Sequence, residues 1–267
     1  MEFNIKKIYY NKTGDFINIE PIGDIHVGSK FFDKKKFMEV RDRILNDPSR
    51  MTIVMGDIFD ATLPDNKFFD VKTQDEELPS LALQFQWIKN ALLPIKDKII
   101  GIHCGNHDER LRLRHYEDYV ARLAMELGVP YLSYMAITRL VFFRKFDSGE
   151  EHNDGSFDIF SAHGGYAGRY VGGNLNSNEQ IAMHFSADIY LTAHTHQVAV
   201  HKKEKIAMDA YGHLQKIVKI FGVCGSFLQP YNEGTTSYPE YKIMPATRVG
   251  TITVSIDPYN RKLQAHE

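Results

Sequence analysis

The sequence predicts a single mixed domain of α-helices and β-strands, on three observations. Short β-rich runs alternate with stretches whose apolar residues recur every three or four positions. No linker, repeat or low-complexity tract interrupts the 267 residues, so one domain spanning 1–267 is expected. The unusual polar residues all follow predicted strand ends, where loops at one end of a sheet bring distant ligands together.

Taken in order, 16–22 reads as a strand, and Phe37, Val40 and Ile44 then mark one helical face. A buried-type strand comes next at 51–55. Leu81, Phe85, Ile88 and Leu92 predict an amphipathic helix that Pro94 stops. A strand over 98–104 leads to a helix marked by Tyr116, Val120, Leu123 and Leu127, which Gly128 and Pro130 close. The stretch 138–146 reads as strand, 147–156 as an exposed turn and 157–162 as strand. Ser177 with Gln180 forms a capping box for a helix running to Phe185. Strands are then expected at 189–193, 197–200, 216–225 and 249–256.

The composition, 43% hydrophobic and 25% charged, is that of a globular protein with a sizeable core. Its net charge of −2 does not advertise a polyanionic partner, so a nucleic acid would have to be held by local patches and metal. Cys104 and Cys224 each sit in an apolar run and read as small buried side chains. The first twelve residues lack the apolar run of a signal peptide, and no stretch approaches the ~20 apolar residues of a membrane span. A soluble cytoplasmic enzyme, with no membrane partner, is the expectation.

Five segments carry the chemistry: Gly23-Asp24-Ile25-His26, Gly56-Asp57-Ile58-Phe59-Asp60, Gly105-Asn106-His107-Asp108, Ala162-His163-Gly164-Gly165 and Ala193-His194-Thr195-His196. Asp24 and His26, like His194 and His196, are two apart, so in extended backbone each pair projects to one side and can grip one ion. Any one segment is unremarkable as a turn. Five in series, each after a strand and each led by a small residue, are hard to reach by accident. The mixture of carboxylate, imidazole and one amide oxygen suits Mn²⁺, Fe²⁺ or Zn²⁺ better than Ca²⁺, and no thiolate offers a structural zinc site. There are ligands enough for two ions sharing a carboxylate, spaced ~3.5–4 Å as for in-line displacement at phosphorus.

In this order the motifs resemble the calcineurin-like metallophosphoesterase superfamily. The first are most similar to the nuclease subunit of double-strand-break repair complexes, which also reads Asp-x-His-x-Gly and Gly-Asp-x-Phe. The resemblance runs from Gly23 to His196. It implies the α+β class, as a four-layer αββα sandwich with the site on loops at one sheet edge. It also implies that one ion, Mn²⁺ first, takes Asp24, His26 and His196. The second takes Asn106, His163 and His194, and Asp57 bridges both. His107 is implied to act on the phosphate or the leaving oxygen, with the Asp60 carboxylate bonded to its ring, while Asp108 secures the loop. Two departures are visible: Ala193 stands where glycine is usual, with some local backbone cost expected, and Gly164-Gly165 leaves the fourth loop's shape open.

Around these motifs, Arg110 is the candidate for a phosphate contact, its alternative being a solvated helix face shared with Arg114. The stretch 164–176 holds five glycines with Tyr166, Arg169 and Tyr170. It reads either as a mobile substrate loop, with Tyr166 and Arg169 on a base and a phosphate, or as a flexible connection. The insert 61–80, with Phe68 and Phe69, reads as a surface lid. Lys34, Lys35 and Lys36 read as a solvated face, and His103 and His184 as structural. The expected activity is phosphoester hydrolysis, on a diester such as DNA or RNA in the first reading and on a monoester or nucleotide in the second. A metal-free scaffold of the same fold is a third class, against which the intact ligand set argues.

Overall fold

The structure, a computed structural model, describes residues 1–62, 69–165, 170–209, 211–231, 234 and 236–267, with the side chains of His115 and Tyr238 left aside. In chain order its strands are β1 (Glu2–Tyr10), β2 (Ile17–Ile19), β3 (Arg50–Val54), β4 (Ile99–His103), β5 (Tyr131–Ser133), β6 (Met135–Lys145), β7 (Glu151–Ala162), β8 (Ile189–Thr192), β9 (Val198–Met208), β10 (Leu214–Cys224), β11 (Thr253–Asp257) and β12 (Lys262–His266). Its helices are α1 (Lys34–Asn46), α2 (Leu81–Leu92), α3 (Asn106–His115), α4 (Tyr119–Leu127), α5 (Val171–Ile181) and the single turn α6 (Tyr238–Tyr241).

These strands make two six-stranded sheets, ordered β1-β6-β7-β8-β10-β9 and β12-β11-β2-β3-β4-β5. The apolar runs Met51–Val54 and Ile99–Ile102 are buried throughout, as inner parallel strands covered on both faces must be. Between the sheets lies a core that includes Ile19, Ile53, Ile100, Phe142, Ile189, Leu191 and Ile256. On the outer face of the second sheet, α1, α2 and α4 bury Phe37, Val40, Ile44, Phe85, Ile88 and Leu123. The outer face of the first sheet packs Phe160, Tyr190 and Phe221 against Ile181 and Phe185, from α5 and the turn after it. The layers are helix, sheet, sheet, helix, the αββα sandwich that the motifs implied. Each buried Phe, Leu or Ile is worth roughly 1.5–3 kcal/mol against exposure.

Local signals account for most boundaries. The Asp33 carboxylate accepts from Lys36 N at 2.8 Å and starts α1. The Ser80 hydroxyl does the same for α2, and beyond Leu92 the chain tightens into a 3₁₀ turn around Pro94.

Several expectations need correction. Tyr116 does not open a helix: it is 95% exposed, in left-handed backbone, and ends α3, while Asp118 caps α4 through Ala121 N. Ser177 lies inside α5, which begins after Tyr170. The turn predicted over 147–156 shrinks, because β7 already pairs with β6 at Glu151. β1, too polar to read as a strand, pairs in parallel along β6 from Glu2 to Tyr10. Within the insert 61–80, residues 63–68, Phe68 among them, lie outside the described residues. The later part of the insert is fastened to the loop of the first motif: Lys30 N bonds Thr73 O at 2.8 Å and Asp75 N bonds Gly28 O at 2.9 Å. Lys34 is paired with Asp75 and Glu77, and Lys36 with Glu39. Cys104 and Cys224 are buried thiols, as expected. Among the described residues, no helix is long and apolar enough to cross a membrane.

Candidate metal centre

All five motif loops leave the C-terminal ends of strands, three from the second sheet (β2, β3, β4) and two from the first (β7, β8). Parallel pairing within each set places those ends together. Backbone bonds then lace the loops. Asp24 N bonds Gly56 O, and Ile25 N and His26 N both bond Asp57 O, at 2.9–3.0 Å. Ala193 N bonds His163 O at 2.9 Å. Asp108, fully inside, accepts from the backbone N–H of Gly105, Ile58 and Phe59 and so ties the second loop to the third. Burial, with the neighbouring Asp57 next, pushes its carboxyl up to about 7, against those three bonds.

Glycine is required where the loops touch. A methyl at Gly105 would stand 2.1 Å from Asp57 Oδ1, and one at Gly56, whose φ is +89°, 2.8 Å from His163 Nδ1. Ala193 is the opposite case. Its backbone is outside the left-handed region, so the expected local cost is absent, and its methyl packs within the inter-sheet core. The close approach there is carried by Gly23, whose added methyl would lie 3.2 Å from that of Ala193.

Two clusters gather the predicted ligands, and a third group of possible ligands joins His26, Asp60 and His107. In the first, His26 Nε2 and His196 Nε2 are 3.3 Å apart, and Asp24 Oδ1 is 3.9 Å and 3.3 Å from them. The second joins Asp57, His163 and His194, with Asn106 Oδ1 3.1 Å from His163 Nε2. Asp57 Oδ2 lies between them, 3.3 Å from His163 Nε2 and 3.9 Å from His26 Nε2. The His163 Nδ1–H donates to Met55 O at 2.8 Å, which turns Nε2 toward Asp57.

The donor set fits cations. Asp24 Oδ1 and His194 Nδ1 are buried without a hydrogen-bond partner. Burial opposes charge on the carboxylates, yet the imidazoles around them hold Asp57 and Asp24 below the usual range. In return, against its own burial, Asp57 pushes His163 up to about 10, and Asp24 raises His196. Burial, above all, keeps His26 and His194 low. A site that draws protons onto two imidazoles is a site short of positive charge, which divalent ions supply.

Asp24, His26, Asp57, His194 and His196 all have positive φ, from 48° to 69°, so the extended backbone expected of the two-apart pairs is not found, and His194 and His196 fall in different clusters instead of sharing one ion site. Left-handed backbone at non-glycine residues costs roughly 1–3 kcal/mol each and concentrates at functional sites.

Asp60 differs from expectation. Its carboxylate does not meet His107 but lies 3.4 Å from His26 Nδ1, close enough for electrostatic attraction though not aligned as a hydrogen bond. What His107 receives from residue 60 is the backbone: Nδ1 donates to Asp60 O at 2.5 Å. The loop places the carbonyl toward α3 and the side chain back toward the first motif. The His107 backbone N–H bonds Asp57 Oδ1, and its ring stands edge-on to His26, centroids 4.7 Å apart.

Arg110 is half-buried on α3 and has no carboxylate partner among the described residues, whereas Arg112 is held by Glu109. Tyr166 and Arg169 lie outside the described residues. The glycine-rich stretch is not all loop, since α5 begins at Val171 and its Asn174 side chain bonds Gln197. Two further residues shape the site without any signal in the sequence. Tyr134 accepts from His163 N and sets its ring at right angles to that imidazole, centroids 5.9 Å apart. Burial, with Asp57 next, pushes its phenol up to about 12, so it keeps its proton. Ser226, after β10, holds the Asp24 carbonyl through its hydroxyl. Neither sits in a motif, and nothing in the local sequence marks them.

The family comparison points the same way. The sequence profile of calcineurin-like phosphoesterases matches residues 22–198, more than half of the 267. No curated protein gives a significant match. Among solved structures, a Streptococcus pneumoniae protein described as a predicted phosphoesterase is 17% identical, covering 91% of this chain and 84% of its own, at TM-score 0.37. Zinc-bound Vps29 of Entamoeba histolytica is 12% identical, covering 93% and 97%, at TM-score 0.40. With its profile match and its clusters of metal-ligand groups, the chain belongs to the calcineurin-like phosphoesterase family and is a metal-dependent hydrolase of phosphoesters.

Proposed function

We propose that the enzyme is a phosphodiesterase working on nucleic-acid ends or related diesters with two divalent ions, Mn²⁺ foremost. Asp24, His26 and His196 would hold one ion, Asn106, His163 and His194 the other, with Asp57 shared. The observation that carries this is the Asp57 carboxylate, lying between the two imidazole clusters. When bound, such a pair supplies the charge that makes hydroxide available at neutral pH and neutralises phosphoryl oxygens.

The chain's own residues do the rest. His107, its Nδ1–H held by the Asp60 carbonyl, presents Nε2 to the substrate and carries the proton for the departing oxygen. Arg110 meets a phosphoryl oxygen. Asp60 orients the His26 ring from behind. The nuclease reading draws support from the wording of the first motifs, and one domain in the cytoplasm goes with it.

The test pairs metal analysis with turnover. Purified protein should carry up to two transition-metal ions per chain. With Mn²⁺ it should hydrolyse bis(p-nitrophenyl) phosphate faster than p-nitrophenyl phosphate, and then cleave single- or double-stranded DNA. Preference for the monoester would replace the diesterase reading by a phosphomonoesterase one. Asp57→Asn and His196→Ala should each leave a folded protein with less than about 1% of turnover. Near wild-type turnover from either, with metal supplied, would sink the assignment.

A further inference from the structure

A cavity of about 550 Å³ opens beside the candidate metal centre, between α3, the N-terminus of α4 and β5. That is within the roughly 300–1,000 Å³ of small-molecule sites. It is joined to the centre at two points. Cys104, on its wall, leads directly into Gly105-Asn106, and Tyr134, also on its wall, packs its ring against His163. Tyr134 is 38% exposed, so part of that ring is open to a ligand.

The charges lining the cavity narrow the choice of ligand. Glu109 and Asp118 bring two carboxylates, and the lining guanidinium, Arg112, is already taken by Glu109. Asp118 is committed to the Tyr131 hydroxyl at 2.9 Å and to Ala121 N. Among the described lining residues, a second phosphate would therefore face net negative charge with no uncommitted cation. An uncharged, flat, polar group would instead meet the two tyrosine rings, the Ser133 backbone and side chain, and carboxylate acceptors for amino or hydroxyl donors.

We propose that this cavity is a nucleoside pocket, taking the base and sugar on one side of the substrate phosphate while the phosphate itself sits at the metal centre. This rests on the phosphodiesterase reading and deepens it: the preferred substrate carries an uncharged nucleoside next to the reacting phosphate, not a polyphosphate chain.

Isothermal titration of the metal-loaded protein with AMP and with inorganic phosphate tests it, alongside turnover of bis(p-nitrophenyl) phosphate. AMP should bind at least tenfold more tightly than phosphate. Tyr134→Ala should remove most of that preference and Tyr134→Phe should keep it. Glu109→Trp, on a solvent-facing turn of α3, fills the cavity mouth without touching the core and should also remove the preference. Equal affinity for AMP and phosphate in the wild type, or a preference that survives both Tyr134→Ala and Glu109→Trp, overturns the proposal. The two readings separate cleanly. Diester turnover without AMP preference removes the pocket and keeps the diesterase. AMP preference without diester turnover keeps the pocket and removes the diesterase.

Discussion

His107 and Asp60 show how much a single turn of backbone decides. His107 Nδ1 is satisfied by the Asp60 carbonyl, while the Asp60 carboxylate faces His26 at 3.4 Å by electrostatic attraction alone, so the two side chains serve different ends. General acid catalysis is typically worth ~10²–10⁴-fold. His107→Asn should therefore cost about that much on diesters with alkoxide leaving groups, and far less on aryl esters, with bound metal unchanged. Equal losses on both esters would assign this ring to phosphate binding instead. Asp60→Asn should behave differently: losing the partner of a ligating histidine typically costs ~10–100-fold in metal affinity. Competition with a chelator would read this out, and an unchanged affinity would show that Asp60 does not act through His26. At this scale the ligand types were legible in the sequence, because carboxylate, imidazole and amide can be read as letters. The direction in which Asp60 points was not, since it depends on the left-handed turn around Asp57 and the carbonyl that turn exposes.

Between residue and molecule stand the loops, and what they ask of the chain is closeness. Gly105 follows β4, caps α3 and lies against the Asp57 backbone and carboxylate, where a methyl would come within 2.1–2.2 Å. Gly105→Ala therefore forces the second and third loops apart, and overpacking of this kind typically costs ~1–3 kcal/mol. The expected outcome is a destabilised protein with poor metal retention, measured by urea denaturation and metal analysis. An alanine variant of wild-type stability and metal content would mean that the loops yield freely. The same closeness explains which elements could be read in advance. β3, β4, α1 and α2 announce themselves because each buries a full face or a clean stripe. β1 does not: it is an edge strand with Phe3, Ile5 and Tyr9 exposed and lysines between them, so its alternation is blurred. The start of α4 escapes the periodicity because Tyr116 matches the apolar spacing of that helix while serving to end the previous one.

Across the whole molecule, the strand order of the two sheets could not be read from one sequence, because it rests on pairings over a hundred residues apart, such as β1 with β6. Polar side chains also cross between the sheets, among them Asn4 of β1, which donates to Ile100 O of β4 at 3.1 Å. His103, on β4 of the second sheet, is wholly buried, with Nδ1 against Ser133 O at 3.1 Å and Nε2 2.8 Å from Ser161 Oγ on β7 of the first. The reading of this histidine as structural accords with that position; His184, read the same way, is exposed on the turn after α5. Burial drives the His103 pKa down to about 3, with the Ser133 carbonyl opposing and His163 adding repulsion. The folded protein thus refuses a proton that the unfolded chain accepts at about 6.5. Between those values the unfolded state binds more protons, so stability rises with pH and is lost as pH falls below about 6.5. At pH 5 the difference is about 2 kcal/mol for this one group, at 1.36 kcal/mol per pKa unit. His103→Gln keeps a donor for Ser133 O and an acceptor for Ser161 but does not titrate. Its stability relative to wild type should improve by about 2 kcal/mol on going from pH 7.5 to pH 5, measured by urea denaturation at matched metal content. The other carboxylates and histidines are common to both proteins and cancel in this comparison. A variant whose stability follows pH with the wild-type slope would show that His103 takes its proton without unfolding, and that the seam between the sheets admits charge or water.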